Sequence, residues 1–287
     1  MLEILKDVFI DALIDSLKIL PFLFITYVIM EYIEHKMSEK SKQTIKKSGK
    51  WGPFLGSAVG IVPQCGFSAS ATNLYSARVI SLGTLIAVYL STSDEMIPVF
   101  ISESVPVLTL IKILAIKFVI GIIFGFIVDL IIRRKNSNEE EKIVDLCEHD
   151  HCHCDEKGIF KSALKHTLNI ILYIFIITLV INLLVEWVGE ENIASFVGNH
   201  TILGPVVSSL IGLIPNCAAS VILTNLYIGN IINGASLIAG LLTGAGVGLI
   251  VLYRTNKNIK ENITITAILY AIGVLCGIVL QFINIKI

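Results

Sequence analysis

Long apolar runs broken by short polar stretches dominate the chain, and their lengths predict membrane helices. The first run, residues 8–33, exceeds the roughly 20 apolar residues that cross a bilayer. It opens with Asp7, Asp11 and Asp15, spaced i, i+4, i+8 and therefore near one helix face. A loop holding Lys36, Lys40, Lys42, Lys46, Lys47 and Lys50 follows. It is the strongest cytoplasmic signal present and places the N-terminus outside. A helix over 51–75 then carries Pro63 and Cys65. The next apolar segment, 79–104, is interrupted by Ser91-Thr92-Ser93-Asp94-Glu95, and a helix over 107–132 ends in Arg133-Arg134-Lys135. For that basic end to lie inside, segment 79–104 must enter and return, as a re-entrant hairpin or two short helices.

The second half repeats the first. Residues 52–75 match 204–227 without a gap, with 11 identities in 24 positions at an offset of 152. Pro63-Gln64-Cys65-Gly66-Phe67-Ser68 is answered by Pro215-Asn216-Cys217-Ala218-Ala219-Ser220, and both copies end on Thr-Asn-Leu-Tyr. Upstream, the stretch around Asp15 aligns with the stretch around His166, and Thr243-Gly244-Ala245-Gly246 interrupts a second apolar segment opposite Ser91–Asp94. With an odd number of crossings per half, the repeats are expected to be inverted in the membrane. The predicted fold is therefore all-α and polytopic. Two inverted repeats, 1–135 and 159–287, each hold about five membrane elements with interrupted or re-entrant helices, and linker 136–158 joins them. Basic loops then fall inside, Arg78 excepted, while Lys112 and Lys117 have no explanation beyond snorkelling.

Composition agrees with this reading. Hydrophobic residues make up 54% and charged residues 16% of 287, against about 25% charged in soluble domains; mean hydropathy is +0.80. The net charge of −1 says nothing about nucleic acid, but the sequence shows no basic, aromatic-interleaved face, so no nucleic-acid partner is expected. The first residues lack a basic n-region, so no signal peptide is expected. The six cysteines do not read as a disulfide framework.

Four groups of residues carry candidate chemistry. Cys65, Ser68 and Thr72, matched by Cys217, Ser220 and Thr224, form polar stripes at i, i+3, i+7, with Asn73 and Asn225 adjoining. Behind Pro63 and Pro215, carbonyls near Gly60 and Gly212 lose their helical donors. Two such broken helices meeting at a pseudo-twofold axis make a midplane metal site. Asp94 and Glu95 cost several kcal/mol inside a membrane unless paired or hydrated, so a transport role is the default reading. Asp15 and His166, at mirrored depths, suit access-path ligands or proton relays. In the linker, Cys147, His149, His151, Cys152, His153 and Cys154 supply thiolate and imidazole for a cytoplasmic metal buffer or sensor.

The Pro-Gln-Cys-Gly-Phe-Ser-Ala-Ser run, the Thr-Asn-Leu-Tyr, the Ser-Thr-Ser-Asp-Glu-Met-Ile-Pro run and the His/Cys linker resemble a prokaryotic family of ten-transmembrane heavy-metal exporters. Its members are catalogued both as arsenic efflux proteins and as manganese transporters. The resemblance implies export of a toxic metal from the cytoplasm by a multi-pass inner-membrane protein, not an enzyme. The oxygen-rich candidate set favours a divalent transition-metal cation, manganese first. Arsenite or another heavy metal on a thiolate site is the alternative, and a transmembrane thiol-disulfide electron shuttle is a third reading. The chain carries no nucleotide-binding loop, so secondary, proton-coupled transport is expected. Its partners are the metal ion and the lipid bilayer, with no nucleotide, nucleic acid or resident cofactor. A homo-oligomer stays open.

Overall fold

The computed structural model describes residues 2–36, 49–93, 96–135, 159–188 and 203–283, and these are helical throughout, with no strand. The first half contains α1 (Leu2–Lys36), a 3-10 turn (Gly49–Trp51), α2 (Gly52–Gly60), α3 (Cys65–Ser76), α4 (Leu82–Ser91), α5 (Met96–Ser102) and α6 (Val107–Lys135). The second contains α7 (Ile159–Val188), α8 (Gly204–Gly212), α9 (Cys217–Ile228), α10 (Gly234–Thr243), α11 (Val247–Thr255) and α12 (Ile259–Ile283). Both boundaries of α2, α3 and α4 recur in α8, α9 and α10 shifted by 152 residues. Among the described residues, five segments are long and apolar enough to cross a membrane, and Leu82–Ser102 and Gly234–Thr255 are two of them, each spanning two helices.

The packing of small residues fixes the helix directions. Gly52 sits against Thr84 and Gly60 against Ser91, so α2 runs parallel to α4. Gly121 meets Ala87 and Gly125 meets Gly83, so α6 runs antiparallel to both. Missing side chains let these backbones approach closely, the usual basis of helix association where lipid removes the hydrophobic drive. Helix α3 returns: a five-residue turn joins its end to the start of α4, and Thr72 lies beside Tyr89. Hence α2 and α3 form a hairpin with its tip at Ile61–Gln64. The second half repeats this, with Gly204 against Ser236, Gly212 against Gly240, and Leu223 against Gly240.

This placement corrects the sequence expectation. Segment 51–75 is the hairpin, not a continuous helix, and segment 79–104 does not fold back. Helix α5 packs on α9 of the other half rather than along α4. The proline decides the first point. Pro63 has no N–H to continue α2, and Gln64 turns extended (φ −158°, ψ 114°) to start α3. Local hydrogen bonds decide the second. Ser91 Oγ donates to Ala87 O and Thr92 Oγ1 to Val88 O, both at 2.7 Å, and Ser93 Oγ donates to Ser91 O at 3.0 Å. These three hydroxyls are satisfied by carbonyls of their own helix end, so they call for no reversal of the chain. The helices of the first half group as α1, the two hairpin limbs, the broken α4–α5 and α6.

The halves contact each other reciprocally. Helix α1 packs on its equivalent α7, α4 on α10, α3 on α11, and correspondingly α9 on α5. Such exchange of partners is the mark of a twofold relation. Phe9 meets Phe175 and Tyr27 meets His166, with ring centroids 5.4 and 5.5 Å apart, so α1 and α7 run antiparallel.

Candidate functional site

The two hairpin tips meet through their cysteines. Cys65 Sγ lies 3.2 Å from Cys217 Sγ, and each cysteine is the first residue of its helix. The partly positive N-terminal ends of α3 and α9 thus converge on the sulfur pair, a polarity that suits an anionic group. Cys217 is buried and Cys65 half-buried, and neither forms a disulfide. The residues just ahead of them anchor the tips. Gln64 Nε2 donates to Lys18 O of α1 at 3.2 Å, and Asn216 Nδ2 donates to Asn182 Oδ1 of α7.

Behind the sulfurs, the hydroxyl stripes first serve their own helices. Ser68 Oγ donates to Cys65 O at 2.8 Å, Thr72 Oγ1 to Ser68 O at 2.7 Å and Thr224 Oγ1 to Ser220 O at 2.6 Å. Around Thr72 a buried polar knot joins the halves. Thr72 Oγ1 and Tyr89 OH are 2.6 Å apart, and Tyr89 OH donates to Gly248 O of α11 at 3.1 Å. Gly248 carries no side chain because Ser68 and Tyr89 fill that space. Across the tips, Ser220 faces Gly244 at the break between α10 and α11.

Among the described residues, other predicted ones make contacts away from this pair. Asn73 is fully buried and accepts from Tyr27 OH at 3.3 Å, whereas its counterpart Asn225 is exposed. His166 is buried in the α1–α7 contact, stacked on that same Tyr27. Asp15, half-buried, pairs with Lys18 at 3.4 Å, and Asp11 is exposed. Asp94 and Glu95 lie outside the described residues, as do Cys147, His149, His151, Cys152, His153 and Cys154 of the linker. Among the described residues no three His, Cys, Asp or Glu side chains gather into a group able to hold a metal ion.

Sequence reasoning missed three participants. Tyr89 and Gly248 sit in apolar runs with no local signal. Lys117 is fully buried rather than snorkelling, and its ammonium donates to Thr92 O and to Leu241 O, the latter at 2.8 Å. Only its charge within an apolar helix could have drawn attention to it.

One family model, ArsP_2, described as "Putative, 10TM heavy-metal exporter", matches residues 4–188. No curated protein and no solved structure matches the chain.

Proposed function

The chain belongs to the ArsP_2 family of ten-transmembrane heavy-metal exporters, and from that premise we propose that it exports a thiophilic heavy-metal ion, with Cys65 and Cys217 as the ligands that meet it half-way across. The observation that carries this reading is the 3.2 Å approach of the two sulfurs, one from each hairpin tip. Soft thiolate ligands select soft ions, whereas manganese takes carboxylate and other oxygen ligands. Of the oxygen-rich set that favoured manganese, Asn225 is exposed, His166 stacks on Tyr27, and Asp15 pairs with Lys18. The manganese reading therefore rests on Asp94 and Glu95.

In this mechanism the halves are inverted in the membrane. The antiparallel α1 and α7 support that arrangement, with hairpins entering from opposite sides and their tips meeting at the midplane. With the lysine-rich loop inside, the linker is cytoplasmic and the N-terminus outside. Arg78, Arg254, Lys257 and Lys260 then all fall inside. Reassigning the hairpin removes the exception that Arg78 posed. An ion held between two tips can be passed from one side to the other when the halves rock. Without a nucleotide-binding loop in the chain, the proton gradient drives the step.

The test is cellular metal content and growth under cadmium, arsenite and manganese. It compares wild type with Cys65→Ser/Cys217→Ser and Asp94→Asn/Glu95→Gln. The expected result is protection against cadmium or arsenite that only the cysteine variant loses. Protection confined to manganese and lost only with the carboxylates overturns the thiophilic site. The sulfur distance also suits a thiol-disulfide shuttle, which predicts no metal phenotype in any strain.

A further inference from the structure

Lys117 is a bonding partner shared by the two interrupted helices, α4 of the first half and α10 of the second. Its ammonium donates to Thr92 O, just past the last residue of α4, and to Leu241 O, in the last turn of α10. The last four carbonyls of a helix have no donor of their own, and they form the negative end of its dipole. Two such ends from opposite halves therefore make an oxygen-lined pocket of negative potential in a low-dielectric interior, the composition of a seat for a small hard cation. Lys117 is fully buried there, at 0% exposure.

The repeat shows that the seat is built into one half-pair only. At an offset of 152 residues, Lys117 corresponds to Leu269, Thr92 to Gly244 and Leu241 to Tyr89. Leu269 is also fully buried, so the equivalent place is closed by hydrocarbon. A scaffold whose interior elements repeat boundary for boundary has thus put a charge on one side of its axis and a leucine on the other. Packing alone is met by leucine. The lysine adds bonds to two carbonyls that a leucine cannot make.

We infer that the space between Thr92 O and Leu241 O is a monovalent-cation seat that the chain fills with its own lysine. The tethered ammonium does the work of a bound sodium or potassium ion, holding the break of α4 to the end of α10. Its bond to Leu241 O crosses between the halves, so any rocking of one half against the other passes through it. A carrier with a built-in cation needs no monovalent ion from solution. Removing the side chain re-creates the demand.

Thermal unfolding of the purified full-length protein tests the seat, in sodium, potassium, n-propylammonium or choline chloride at equal ionic strength. Lys117→Ala is expected to unfold several degrees below wild type in choline. It should recover at least half of that loss, saturably, in sodium, potassium or propylammonium, while wild type shows no cation preference. Equal unfolding of Lys117→Ala in all four salts overturns the inference. Lys117→Met, which keeps the packing and removes the charge, guards against a misfolded alanine variant. It is expected below wild type in every salt, with Lys117→Arg between the two, and a Lys117→Met protein as stable as wild type also overturns the seat. A second arm rests on the export reading. Metal uptake into inside-out vesicles should be sodium-indifferent for wild type and sodium-dependent for Lys117→Ala. Failure of export in both proteins sinks that reading and leaves the unfolding result standing.

Discussion

The Arg78 guanidinium clasps the Glu261 carboxylate through both terminal nitrogens, at 2.7 and 2.8 Å, tying the base of hairpin α2–α3 to the first turn of α12. Tyr75 OH donates to the same carboxylate, and its ring lies 5.1 Å below the guanidinium carbon. Glu261, bonded to it, raises the Arg78 pKa further, beyond any accessible pH. Arg78 sits at φ 60°, and its counterpart Asn230 at φ 55°, so both halves make the same left-handed turn. Glu261 is matched by Thr109, so the bidentate pair belongs to one end of the molecule alone.

Arg78→Asn therefore keeps a turn that asparagine adopts readily and removes the pair together with the contact on the Tyr75 ring. A bidentate charge-assisted contact of this kind is expected to contribute about 1–3 kcal/mol, read as a fall in the unfolding temperature. Glu261→Thr should cost a similar amount. The double variant should fall well short of the sum of the two singles, since the Arg78–Glu261 pair can be lost only once. Additive losses would show that the two residues act separately.

The approach of Cys65 to Cys217 predicts a cross-link between the halves. A protease site placed in the linker 136–158 lets the chain be nicked into two fragments. Mild oxidation before nicking should keep the fragments together on a non-reducing gel, and a reductant should release them. Cys65→Ser or Cys217→Ser should abolish the link. Persistence of the link in either variant would assign it to other cysteines and separate the two tips.

The sequence made the twofold repeat legible because proline and cysteine recur at one offset in both copies. It misplaced the hairpin because polarity and proline pointed to different segments. Ser91, Thr92 and Ser93 look like a place for the chain to turn, yet their hydroxyls bond carbonyls within the preceding turn. Pro63 has no equivalent remedy. The Cys65–Cys217 meeting was foreseeable from symmetry, whereas the roles of Lys117 and Arg78 were not. Their partners, Leu241 O and Glu261, lie in the other half, and no local pattern encodes a pairing across more than a hundred residues.

Glycine substitutions test the close packing that creates the hairpins. A Cβ at Gly212 would overlap the Gly240 carbonyl, and one at Gly83 would overlap the Gly125 carbonyl, backbone atoms that cannot swing aside. Alanine favours helix over glycine by about 1 kcal/mol, but such overlap costs about 1–3 kcal/mol and more where backbone must move. Gly212→Ala and Gly83→Ala should both lower the unfolding temperature. Gly49→Ala, with nothing within 4 Å of the new Cβ, should leave it unchanged. Neutral behaviour at Gly212 would mean that α8 does not lie against α10.

The asparagine pair separates sequence symmetry from structural symmetry. Asn73 and Asn225 are identical residues at equivalent positions, yet the first is fully buried and the second exposed. The cause is the neighbouring long helix. Helix α1 packs along α3 and brings Tyr27 OH to Asn73 Oδ1, whereas α7 lies against α1 and α11. Asn73 also carries a buried amide nitrogen that meets no acceptor. Asn73→Ala removes the bond from Tyr27 OH and opens a small void, for a loss of about 1–2 kcal/mol, offset in part by removal of the unsatisfied nitrogen. Asn73→Leu, which fills the void, should cost less than Asn73→Ala if burial dominates. Asn225→Ala should stay within about 0.5 kcal/mol of wild type, as surface changes usually do. Thermal unfolding of the three variants side by side decides the matter, and equal effects at Asn73 and Asn225 would restore the symmetric polar stripe that the repeat suggests.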